Sequence, residues 1–86
     1  MKEADENVDP YKHLRWRCRR GLKELDVMLE RFLRLSFADL SEQEKSDFEA
    51  LLAESDMDLL EWFLRKSEPD KPSYQSLVAI ITSLPA

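Results

Sequence analysis

Few side chains in this chain could do chemistry on their own. His13 is the only histidine and Cys18 the only cysteine. Five positions apart on one helix, they are rotated about 140° from each other and cannot meet as a nucleophile and its base. A single cysteine excludes an intramolecular disulfide. One histidine and one cysteine also fall short of the ligand set of a structural zinc site. The carboxylate pairs Glu42/Glu44 and Asp56/Asp58 stand where helices begin, and negative charge is favoured there by the helix dipole. No glycine-rich phosphate loop, nucleophile elbow or metal-ligand spacing is present. Cys18 reads as a small core residue and His13 as a surface one. The chain reads as a non-enzyme with no metal or cofactor of its own.

What remains is charge. Lys12, Arg15, Arg17, Arg19, Arg20 and Lys23 form a stretch without an acid and hold 6 of the 13 basic residues. The rest of the chain then has 7 basic against 18 acidic residues, a balance of −11 within a net charge of −5. A basic end on an acidic body bears on the choice of partner. Nucleic acid is one candidate, since phosphates are held by Arg and Lys clusters. The acidic whole argues against it, because nucleic-acid domains are usually basic overall. A solvated face complementing a helix C-terminus is a second reading. A protein surface of acidic or mixed charge is the third, and the one favoured here. Trp16, between Arg15 and Arg17, lies two positions from both Leu14 and Cys18 and so points away from their apolar stripe. Exposed Trp with Arg is the composition of an interface anchor. The bland alternative is a Trp lying over a helix junction as a lid on the core.

The same region contains the junction Cys18-Arg19-Arg20-Gly21-Leu22-Lys23-Glu24-Leu25-Asp26, with the only glycine of the chain at its centre. Gly21 suits the left-handed position just past a helix, and Arg20 suits a helix C-terminus. Glu24 suits the first turn of the helix that follows. Capping alone could account for all three.

These residues must be positioned by helices. The 86 residues are 43% hydrophobic and 36% charged, with one Gly. That length supports one domain around one thin core. A Leu-rich, Gly-poor chain with few β-branched residues favours helix. The expected fold is all-α, a compact bundle of five short helices with antiparallel neighbours. Residues 1–9 read as a flexible acidic tail and 10–86 as a single helical domain.

Asp9-Pro10 marks a helix start. The first helix then runs to Arg19 or Arg20, with Tyr11, Leu14 and Cys18 inward. A second spans about Leu22 to Leu35, burying Leu22, Leu25, Met28 or Leu29, Phe32 and Leu33. Ser36 to Leu40 is a connection. Ser41-Glu42-Gln43-Glu44 is a capping box that opens a third helix, which reaches about Glu54. Ser55-Asp56 caps a fourth over Met57 to Lys66. That helix is apolar nearly all round, so it should be central in the core or have one face held by a partner. Pro69 and Pro72 break the chain before a last helix from Ser73 to Ser83. No run of 18 apolar residues occurs, and the acidic start suits neither a secretory signal nor a transit peptide. A bacterial cytoplasm is the expected location.

The stretch Trp-x-Cys-Arg-Arg-Gly-x-x-Glu-Leu-Asp, Trp16 to Asp26, resembles the flavinylation and assembly factors of succinate dehydrogenase. Their signature Arg-Gly-x-x-Glu corresponds to Arg20, Gly21 and Glu24. Leu40-Ser41-Glu42-Gln43-Glu44-Lys45, the Phe48 to Leu52 helix, and Asp56 to Leu64 with Trp62 follow the family's order and spacing. The acidic N-terminus and the short end after Leu84 depart from it. The resemblance implies a five-helix bundle that binds the flavoprotein subunit of succinate dehydrogenase, with the related fumarate reductase subunit as a further client. It implies promotion of covalent FAD attachment to the client subunit's own histidine. FAD would then be held by the client and not by this chain.

Carried over by position, Arg20, Gly21 and Glu24 are the contact motif, with Arg19 and Asp26 beside it. Trp16 joins them from the outer face. The chain is read as a monomer that neither binds nucleic acid nor inserts into a membrane. The alternative is an antitoxin-like regulatory partner of a small membrane toxin, a role also attached to the family. Gly21→Arg and Glu24→Ala are expected to spare the fold while abolishing flavinylation of the client.

Overall fold

The computed structural model describes residues 11–84, and among them it holds five α-helices, one 3-10 turn and no strand. The helices are α1 (Lys12–Cys18), α2 (Lys23–Leu35), α3 (Glu42–Leu51), α4 (Asp56–Phe63) and α5 (Pro72–Ser83), with the 3-10 turn over Phe37–Asp39. The Asp9-Pro10 start and the tail over residues 1–9 lie outside the described residues.

The longest helix organises the rest. On α2, Leu25, Leu29, Phe32 and Leu33 recur at helical spacing, and all four are buried. This stripe lets α2 pack against α1, α4 and α5, while α3 lies against α5. An aromatic cluster closes the centre. The Phe48 ring of α3 stands 4.8 Å from Phe32 and 5.6 Å from Phe37, and Tyr11 meets Phe37 edge-on at 5.1 Å. Such pairs add about 0.5–1.5 kcal/mol each beyond their buried area. The segment expected as a plain connection therefore contributes to the core, through Phe37 on its 3-10 turn. No polar side chain is buried among the described residues.

Helix ends follow local chemistry. The Ser41 hydroxyl accepts from the Glu44 N–H at 3.1 Å, and the Ser41 N–H donates to Glu44 Oε1 at 2.9 Å, so the capping box is present. Ser55 caps α4 by accepting from the Asp58 N–H at 3.1 Å. Pro72, expected as a breaker, opens α5 at its first turn, where its fixed φ suits the helix.

Three boundaries differ from expectation. α1 stops at Cys18, α3 at Leu51, and α4 at Phe63. The α4 end is a Schellman motif: Lys66 N–H donates to Glu61 O at 2.9 Å and Arg65 N–H to Trp62 O at 3.1 Å. It places Arg65, a non-glycine residue, at φ +63°. Nor is α4 central. Leu59 and Phe63 are buried, but Met57 and Leu64 are exposed, because α2 already fills the middle.

Candidate functional site

The linker between α1 and α2 takes its path from one carboxylate. Asp26, in the first turn of α2, accepts a hydrogen bond from the Arg20 backbone N–H at 2.7 Å. That bond turns the chain away from α1. Arg19 is already extended, at φ −91° and ψ 94°. Gly21 follows at φ +84°, and a Cβ built there would meet nothing within 4 Å. The need for glycine is conformational and not steric. Gly21 therefore sits three residues past the end of α1, as the corner of a linker, and not directly behind the helix as its cap.

Arg20 is turned inward. Its Nε donates to Asp56 Oδ1 at 2.6 Å, Nη1 to Leu52 O at 2.7 Å and Arg17 O at 3.1 Å, and Nη2 to Glu54 O at 2.9 Å. The Arg20 side chain is 16% exposed and Asp56 41%. Arg17 reaches the same region, with Nη2 donating to Glu49 O at 3.0 Å. Glu49 and Leu52 lie in the last turn and cap of α3, and Arg17 in the last turn of α1. Helix ends leave such carbonyls without backbone donors and concentrate partial negative charge on them. One guanidinium thus caps two helices and pairs with the first residue of a third. Two of the six cations in the acid-free stretch hold the fold together. Asp56 takes part in this arrangement 36 residues from Arg20, with no local pattern to mark it.

What faces outward is different. Trp16 is 65% exposed. Arg19, Gly21, Lys23 and Glu24 are also exposed. Glu24 has no side-chain hydrogen bond or ion pair among the described residues. Next to the linker, a groove of about 590 Å³ separates α1 from α2. Lys12, Trp16 and Arg19 form one wall, Val27 and Glu30 the other, with buried Leu33 beneath.

Cys18 also borders the groove, but as an inert group. Burial pushes its thiol up from 9.0 to about 11, and Arg20, Arg17 and Arg15 offset only part of that. A protonated thiol is a poor nucleophile. His13 is exposed on α1. Among the described residues no group of three or more His, Cys, Asp or Glu could hold a metal ion. No described helix is long and apolar enough to cross a membrane. With Gly21 as the only glycine, the groove lacks the glycine-rich cradle that brings backbone N–H groups to a dinucleotide's phosphates. The arrangement suits recognition of a macromolecular surface, by an exposed Trp, flanking cations and an open turn.

The profile of the family described as "Flavinator of succinate dehydrogenase" matches residues 12–85. A protein of Idiomarina loihiensis named "FAD assembly factor SdhE" is 32% identical over 83 residues, covering 96% of this chain and 92% of that protein. A Coxiella burnetii protein of the same name is 38% identical over 73 residues, covering 85% and 89%. One from Vibrio vulnificus is 42% identical over 65 residues, covering 76% of each.

Proposed function

The chain belongs to the succinate dehydrogenase flavinator family, and from that premise we propose that it is an FAD assembly factor. It binds the flavoprotein subunit of succinate dehydrogenase and promotes covalent attachment of FAD to that subunit. The flavoprotein of fumarate reductase is a second client of the same chemistry. The factor acts as a monomer in the bacterial cytoplasm. The names carried by its relatives favour this role over that of a toxin's partner.

The observation that carries the proposal is how the signature residues divide the work. Arg20 locks the linker from inside. Gly21 leaves bare backbone outside, and Glu24 stands beside it without a side-chain partner among the described residues. Residues so held and so presented are available to a client. The bond-forming chemistry then belongs to the flavin and the client's histidine. The factor's share is to favour the client conformation in which those two meet, which is a positioning effect.

Glu24→Ala is the cleanest probe, because among the described residues the Glu24 side chain makes no hydrogen bond or ion pair and contributes only its charge at the start of α2. In a deletion strain, Glu24→Ala is expected to leave the factor folded and abundant while in-gel fluorescence of covalent flavin on the client falls to the level of the deletion. Undiminished fluorescence would refute the role of the motif. Gly21→Arg is a less clean probe than the sequence suggests. It meets open space, but forcing φ +84° on a side chain costs about 1–2 kcal/mol.

A further inference from the structure

We infer that the groove between α1 and α2 seats a segment of the flavoprotein client that presents an apolar side chain with carboxylates on the edge facing α1. This rests on the reading of the chain as that client's partner, and it assigns the chemistry of what the partner brings.

Three observations converge. The first is apolar surface left open on both walls. Trp16 is 65% exposed and Val27 44%, and they line one groove over buried Leu33. Its 590 Å³ falls within the range of about 300–1,000 Å³ typical of sites that enclose a ligand group. The second is the asymmetry of charge. The α1 wall carries Lys12 and Arg19, in a stretch with no acid between residues 12 and 23. The opposite wall carries Asp26 and Glu30, and both are already engaged. Asp26 holds the Arg20 N–H, and Glu30 pairs with Arg34 at 3.4 Å. Lys12 and Arg19 thus set the charge an incoming segment must complement. The third is continuity. Arg19 and Asp26 belong both to the groove and to the linker around Gly21. A segment leaving the groove past Arg19 runs onto Gly21 and Glu24, so the two surfaces form one footprint.

The test uses the full chain and the purified apo-flavoprotein subunit of succinate dehydrogenase. Binding is measured for the wild type, for the double variant Lys12→Glu/Arg19→Glu, and for Trp16→Ala. All three positions are exposed, so circular dichroism should be unchanged. The double charge reversal is expected to weaken binding at least about tenfold and to flatten its salt dependence. Trp16→Ala should weaken it about 30-fold, as for an interface anchor.

The photo-cross-linker p-benzoylphenylalanine in place of Val27 then reports the occupant. The expected adduct is a client segment with Asp or Glu within four positions of an apolar residue. Changing those carboxylates to Lys should restore binding to Lys12→Glu/Arg19→Glu. Adducts on residues 1–10 of this chain, on a second copy, or on a client segment without carboxylates would overturn the inference. So would unchanged affinity of the variants for a client that the wild type binds. If the wild type fails to bind the client at all, the proposed function falls, and this inference with it.

Discussion

Replacing Arg20 by Ala should destabilise the fold before it says anything about a partner. The side chain donates four hydrogen bonds, three of them to backbone carbonyls and one within an ion pair to Asp56. Asp56 is 41% exposed, so water recovers most of its solvation when the partner leaves, and the pair is worth at most about 1 kcal/mol. The carbonyls of Leu52 and Glu54 each lose a charged donor, worth about 1 kcal/mol apiece where water can partly replace it. The total is about 2–3 kcal/mol. A chain of 86 residues has a stability of about 4–13 kcal/mol. The melting temperature should therefore fall by about 10–25 °C. Arg20→Lys should recover only part of the loss, because an ammonium cannot spread three donors in the plane of a guanidinium. Asp56→Asn should cost about 1 kcal/mol or less. Urea unfolding followed by far-UV circular dichroism reads all three. If Arg20→Ala shifted stability by less than about 0.5 kcal/mol, the clamp would not be holding the junction. A loss of flavinylation in that variant would then have to come from direct contact with the client.

Two further predictions concern the fold. Arg65 adopts φ +63° at the end of α4, where glycine carries no Cβ penalty, so Arg65→Gly should raise stability by about 1 kcal/mol, seen as a higher urea midpoint. The Cys18 thiol is raised from 9.0 to about 11, so across that window the unfolded chain releases a proton that the folded chain keeps. Stability should fall as pH rises from 9 to 11. Cys18→Ala should flatten that slope, and native Cys18 should react with a thiol reagent at pH 8 far more slowly than in urea. Equal reaction rates would contradict its burial.

Much of this could be read from residue types at close range. The Ser41–Glu44 capping box, the buried stripe of α2, the burial of Cys18 and the outward Trp16 each depend on neighbours within one or two helical turns. Distant partners were not legible. Arg20 and Arg17 look like a basic helix end, and Arg20 does cap α1 at the Arg17 carbonyl, but most of their capping is done at the end of α3, more than 30 residues away. α1 ends earlier than its residue pattern suggests because Asp26 takes the Arg20 N–H from six residues ahead, a bond that no propensity reports. α4 ends earlier than its residue pattern suggests because Arg65 adopts a left-handed conformation with no glycine to announce it. Gly21 reads as a turn from its residue type, but its place in an extended linker depends on that same Asp26 contact. The signature therefore combines a residue that builds the surface with residues that form it, and residue type alone does not separate the two.

Covalent flavin on the client tests the central claim most directly. Purified apo-flavoprotein subunit of succinate dehydrogenase is mixed with FAD and followed by in-gel flavin fluorescence. The reaction is run alone, with the wild-type chain, and with Glu24→Ala. Covalent flavin should accumulate faster with the wild type, and Glu24→Ala should match the reaction without factor while keeping wild-type stability. Equal rates in all three reactions would contradict the account.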